Sequence, residues 1–184
     1  MANSRVSHTP FALRRAGGGD LEAILALERG PGYEAYVGRS SAAEHAEMLA
    51  SVRYVYLVGL EAAGRPFAFA ILRDPDDPHG NLYLKRVAVD RPGEGRGGAF
   101  LAAVLDWAFA ETSAHRFHLD CFVENMRARR AYEKLGFSHD GVLREAYLAP
   151  DGRRRDLALM ALTRPEWRAR GSGSAPGSPP LDAP

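Results

Sequence analysis

Residues 82–123 place the tightest constraint on this chain. An apolar strand pattern ends in "VAVD", "RPGEGRGG" follows, and then come an amphipathic run and a second alternating strand pattern. Gly93, Gly95, Gly97 and Gly98 crowd into six positions at the entry of that run. Its Leu101, Val104, Leu105 and Ala108 recur on one helical face, which predicts a helix over Phe100 to Thr112. A strand, a loop, a crossover helix and a strand in succession require a sheet with helices packed against it.

The rest of the chain fits around that unit. A strand is expected at Phe11 to Arg15, a helix through Leu21, Ile24, Leu25 and Glu28 with Asp20 as N-cap, and a second helix in "SSAAEHAEML". Ser41 and Glu44 there have capping-box spacing. Strands follow at Tyr54 to Leu60, Pro66 to Leu72, Leu82 to Val89 and His115 to Val123. Asn125 opens a short helix with Ala128, Ala131, Tyr132 and Leu135 on one stripe and Gly136 as its stop, and two strands joined by "APDG" end the fold. The expected division is a flexible 1–10, a domain over 11–168 and a disordered Gly/Ser/Pro-rich tail over 169–184.

Composition narrows the partners. With 24 Lys plus Arg against 23 Asp plus Glu in 184 residues, the net charge of +1 offers no global field for nucleic acid or anionic lipid, so any anion site is local. The single cysteine, Cys121, excludes an internal disulfide and makes a reducing, cytoplasmic setting the default. Neither a signal-peptide pattern nor a membrane-length apolar run is present, so the chain is expected to be soluble.

A helix start presents unpaired N–H groups and a positive dipole end, and glycines clear the approach for a phosphate. No Lys-Ser/Thr pair follows the last glycine, so a nucleoside-triphosphate loop is not indicated. Gly93, Gly95 and Gly98 do spell the dinucleotide fingerprint, with Asp120 on the next strand, which keeps a nicotinamide-dependent oxidoreductase as an alternative. Against it, the chain has too few further strand–helix units for a doubly wound sheet.

The segments "VAVDRPGEGRGGAFLAAVLDWAF", "HLDCFVENMRARRAYEKLGF" and "GVLREAYLAPDGRRRDLALMAL" together resemble the GCN5-related N-acetyltransferase superfamily. Within it they look most like the branch of ribosomal-protein N-terminal acetyltransferases. The match is close over Leu82 to Trp167, and Glu124 to Phe137 is its more specific part. The resemblance implies a single mixed, mostly antiparallel seven-stranded sheet with a central splay, flanked by about four helices. It implies acetyl-CoA as cosubstrate, no metal, and a primary amine or peptide N-terminus as acceptor, with a homodimer possible. The alternating pattern breaks at Lys85-Arg86, where a bulge fits.

By the same resemblance, backbone of Val87, Ala88 and Val89 meets pantetheine and thioester, a backbone N–H near Val89 steadies the carbonyl oxygen, and Gly93, Glu94, Gly95, Arg96, Gly97 and Gly98 cradle the pyrophosphate. The family's loop begins with Arg or Gln one position before its first glycine; Pro92 stands there, with Arg91 adjacent. Tyr132 becomes the general acid toward the CoA sulfur, and Asn125 a ligand of pantetheine or a catalytic water. Each has a plain structural competitor, an apolar stripe for Tyr132 and a helix N-cap for Asn125. Arg129, within the run Arg127, Arg129 and Arg130, is either a contact to the 3′-phosphate or part of a solvated face.

Glu28, Asp120, His118 and Glu124 are candidate bases without a spacing that selects one. Glu28, Tyr33 and Tyr36 are the expected acceptor lining. His115, His118, Asp120 and Cys121 do not share a strand face, which argues against a metal cluster. A non-catalytic acyl-CoA sensor on the same fold is the other alternative.

Overall fold

The structure, a computed structural model, describes residues 11–34 and 36–171. The expected flexible residues 1–10 and residues 172–184 of the expected tail lie outside the described residues. Seven strands form one sheet in the order β1-β2-β3-β4-β5-β7-β6. They are β1 (Ala12–Arg15), β2 (Tyr54–Leu60), β3 (Pro66–Arg73), β4 (Asn81–Val89), β5 (Arg116–Phe122), β6 (Ser138–Leu148) and β7 (Arg154–Thr163). Only β4 and β5 run parallel, joined by the crossover helix α3 (Arg96–Glu111); all other neighbours are antiparallel. A doubly wound nucleotide-binding sheet is therefore not what this chain forms.

The strands β2 and β3 are buried along their lengths because helices cover both faces of that half of the sheet. On one side α3 and the ends of the neighbouring strands enclose Leu57, Phe67, Leu72, Phe100, Val104 and Phe117. On the other, α1 (Leu21–Glu28) and α2 (Ala42–Ala50) cover Tyr56, Val58, Phe69 and Ile71. The expected capping box of α2 forms, with Ser41 Oγ accepting from Glu44 N at 3.2 Å and Glu44 accepting from Ser41 N at 2.6 Å. Asp20 leads α1 without capping it; its side chain accepts from Gly17 N at 2.8 Å, closing the turn before the helix, and from Arg14 at 2.8 and 2.9 Å.

β4 carries the decisive irregularity. Its register with β3 slips between Ile71↔Arg86 and Leu72↔Leu84, so Lys85 is the extra residue of a bulge where the sequence alternation breaks. Pairing with β5 stops at Leu84↔Leu119, although both strands continue, and the sheet parts there.

Two boundaries differ from the sequence reading. α3 starts at Arg96 rather than Phe100, with Gly95 in the left-handed N-cap position at φ 81°, so the last glycines belong to the helix itself. A fifth helix, α5 (Arg164–Gly171), takes residues 169–171 out of the expected tail. It is held by Trp167, stacked at 5.2 Å from Phe109, and by Glu166, which accepts from Thr163 N and Oγ1 at 2.7 Å.

Candidate active site

The parting of β4 and β5 opens a cleft of about 1040 Å³. Its walls are the outer half of β4, the facing half of β5, the first turn of α3, helix α4 (Met126–Lys134) and the segment between α1 and α2. Of the residues expected to hold cofactor, Val87, Ala88, Val89, Gly93, Gly95, Gly97, Gly98, Asn125 and Tyr132 all line it. A Cβ added at Gly93, Gly95 or Gly98 would meet nothing within 4 Å, so the glycines leave clear space over the α3 N-terminus. At Gly93 (φ 103°) and Gly95 (φ 81°) glycine is also required by the backbone itself.

α4 positions the central groups. Asn125 is buried and caps the helix, its Oδ1 accepting from Ala128 N at 3.1 Å, and it still lines the cleft. Tyr132 packs its ring at 5.8 Å from Phe137, while its hydroxyl finds no hydrogen-bond partner among the described residues. Burial pushes its phenol well above the ordinary range, with Cys121 and Asp120 adding to the shift, which keeps it protonated. Cys121 is itself pushed up to about 11 by burial, so it stays a thiol.

Asp120 is the carboxylate on the far wall, accepting a hydrogen bond from Tyr83 Oη at 2.8 Å. The other candidate bases do not line the cleft. Glu28 is fully buried between Arg86 (2.8 Å) and His45 (3.1 Å), Glu124 is paired with Arg155, and His118, half-buried against the Tyr83 ring, does not line the cleft. Beside Asp120 rise Tyr36, Phe122 and Tyr147, with ring centroids 6.1 and 5.0 Å from Phe122. Lys85 lines the same side, its pKa lowered by burial first and by Arg86 and Arg73 next.

Several expected ligands stand outside this space. Arg96 points to the opposite side of the loop, over the Phe67 ring at 4.1 Å, with Asp90 and Glu61 each at 2.9 Å. Arg91 joins the same carboxylates at 3.6 and 3.7 Å and also faces Glu94 at 3.7 Å. Neither arginine nor Glu94 lines the cleft, because two carboxylates behind the loop draw the cations away. Arg129 turns back to the Val123 carbonyl at 3.2 Å, and the α4 cations that do line the cleft are Arg127, Arg130 and Lys134. Their spacing of three and four residues is the signal that separates them from Arg129. Glu28 lines nothing, and Tyr33 lines the cleft but is buried, its hydroxyl bound to both backbone groups of Val89. Tyr36, exposed, lines the cleft.

A sheet parted beside a glycine-capped helix defines the N-acetyltransferase fold, and solved structures of such enzymes superpose on it. One is a spermidine N-acetyltransferase from Vibrio cholerae in complex with CoA and spermine. It has a TM-score of 0.76 and 22% identity over 86% of this chain and 98% of that one. Another from the same organism, in complex with manganese ions, has a TM-score of 0.73 and 22% identity over 88% and 96% of the two chains. The chain belongs to the acetyltransferase (GNAT) family, whose model matches residues 21–137.

Among curated relatives, the Spermidine N(1)-acetyltransferase of Vibrio cholerae is 29% identical over 84 residues, 46% of this chain and 48% of that protein. A Probable spermine N(1)-acetyltransferase of Bacillus subtilis subsp. natto is 30% identical over 97 residues, 49% of this chain and 64% of that protein. The chain thus spans from about half to under two thirds of the length of these relatives. They carry polyamine names, and the expected likeness to ribosomal-protein N-terminal acetyltransferases is replaced by this one. Among the described residues no group of three or more His, Cys, Asp or Glu stands together as a metal site, and no helix is long and apolar enough to cross a membrane.

Proposed function

We propose that this chain transfers the acetyl group of acetyl-CoA to a primary amine of a polyamine-class acceptor. One observation carries the reading: a single cleft through the parted sheet joins the glycine-lined start of α3 to the Asp120 carboxylate, and the free Tyr132 hydroxyl lines the same space. The residues fit the cofactor. Clear N–H groups at the α3 N-terminus suit a pyrophosphate, the open β4 edge suits an amide-bearing arm, and Arg127, Arg130 and Lys134 supply cations for the remaining phosphate.

When bound, acetyl-CoA supplies an activated acyl group on a thiol leaving group. Asp120, held by Tyr83, receives the ammonium of the acceptor and takes its proton, so that a neutral amine attacks. The N–H of Val87, directed away from β3 into the cleft, would donate to the acyl oxygen. As the C–S bond breaks, Tyr132, kept protonated by burial, would give its proton to the sulfur, and the second proton lost by the attacking nitrogen would restore the phenol.

Support for a polyamine comes from the names of the relatives and from the far wall. The faces of Tyr36 and Tyr147 suit an alkyl chain, and Glu34 along the same cleft suits its second cation; the Phe122 ring beside them is already covered by Arg155 at 3.8 Å. Free-CoA release on adding spermidine or spermine tests the reading. Release with peptide N-termini alone would overturn the acceptor class; tight acetyl-CoA binding without release across an amine panel would make the protein a sensor. Tyr132→Phe is expected to lower turnover about 10²- to 10⁴-fold with acetyl-CoA affinity kept, measured by steady-state kinetics and calorimetry.

A further inference from the structure

The β4 edge that faces the cleft is already used at one residue. Asp90 N–H donates to Phe67 O at 2.7 Å, and Val89 lies opposite Ala68. Alternate residues of an antiparallel ladder turn their N–H and C=O groups to opposite sides, so Val87 and Val89 direct theirs away from β3. β5 has left the ladder after Leu84, and these groups become an open strand edge along the cleft. At Val89 the Tyr33 hydroxyl closes that edge, accepting from Val89 N–H at 2.8 Å and donating to Val89 C=O at 3.1 Å. One hydroxyl does here what a neighbouring strand would do.

An amide arm running along the same edge needs the same N–H and C=O, and the two occupants exclude each other. Tyr33 is well placed to pass that competition on. Its carbonyl accepts from Tyr36 N at 3.2 Å and Val37 N at 2.9 Å, so its position sets the turn that carries Tyr36, the aromatic wall of the acceptor side.

We propose that Tyr33 is a place-holder for the amide arm of the cofactor, displaced from Val89 when the arm binds, and that its release rearranges the acceptor wall at residues 36–38. The inference rests on the cofactor reading above. It makes Tyr33 a positioning residue that sets cofactor affinity and orders the binding sequence, cofactor before acceptor.

Tyr33→Phe keeps the ring in its core and removes the competitor. Calorimetry is expected to show CoA binding tighter by up to about tenfold, since a net hydrogen bond is worth about 1 kcal/mol. The binding of adenosine 3′,5′-bisphosphate, which lacks the arm, should be unchanged. The same variant should melt at a lower temperature without ligand, because Val89 loses its partner. A residue that only props the fold would instead weaken CoA binding as it lowers stability. Unchanged or weaker CoA affinity in the variant overturns the place-holder; failure of the wild-type protein to bind CoA at all overturns the cofactor reading beneath it. In the wild-type protein, CoA should raise deuterium uptake of the peptide spanning 29–41, and unchanged or increased protection there counts equally against the proposal.

Discussion

Two charged networks flank β4, and both hold residues that the sequence offers as ligands. Behind the glycine loop, Arg91 and Arg96 gather with Glu61 and Asp90 at the surface, where the Arg91 side chain is 54% exposed. Under the acceptor segment, Glu28, His45 and Arg86 meet with the Glu28 and His45 side chains at 0% exposure. The Tyr56 hydroxyl adds to this node, 2.9 Å from His45 Nδ1, and Ser40 N donates to Glu28 Oε1 at 3.2 Å. The first network is wet and screened, so each pair contributes little; the second is dry, and removing one member strands a charge. Both teach the same lesson: an ionisable residue near a site is claimed first by whichever opposite charge the fold brings beside it.

The difference is sharpest for Glu28→Ala. Stranding the Arg86 guanidinium should cost about 3–5 kcal/mol, read as a large fall in melting temperature, and a loss below about 1 kcal/mol would break the contrast. The next effect depends on pH. Burial, the largest influence, lowers the His45 pKa below its usual 6.5 despite Glu28 beside it, so the unfolded chain binds the proton more readily than the folded one. Stability from this group is therefore complete above pH about 6.5 and falls as pH drops toward the folded value. Thermal melts between pH 7 and 5 should be steeper for the wild-type protein than for His45→Gln, which lacks that titration.

The surface network gives the smallest effects. Arg96→Ala loses the contact over Phe67 and two part-buried pairs, and a change of about 1 kcal/mol is expected in denaturant unfolding. Arg91→Ala should leave acetyl-CoA affinity unchanged in calorimetry, because its guanidinium stands outside the cleft. A clear loss there would make the surface network part of the phosphate site and erase the comparison.

Legibility followed the range of the interactions. The glycine entry, the capping box of α2, the Asn125 cap, the Tyr132 stripe and the break at Lys85 are local patterns, and each sits where the sequence reading puts it. Glu28 reads as a plausible lining residue from helix position alone, yet its partners His45, Arg86 and Tyr56 come from 17, 58 and, through His45, 11 residues away. Nothing in a window around Glu28 carries that information. Arg129 and Arg130 are neighbours in the same run, and only the way α4 is turned toward the cleft separates the one that bonds Val123 from the one that lines the cleft.

By itself, then, the sequence determined the crossover unit, the glycine-cleared helix start and the placement of Asn125 and Tyr132, because capping, periodicity and backbone freedom are fixed within a few residues. Tertiary structure alone decided which charges face the cleft, that Asp120 stands there held by Tyr83 with no cation paired to it among the described residues, and that Tyr33 reaches across 56 residues to close the edge at Val89. Those outcomes depend on which side chains meet across the parted sheet. Distances in space, not along the chain, set the strength of each such contact.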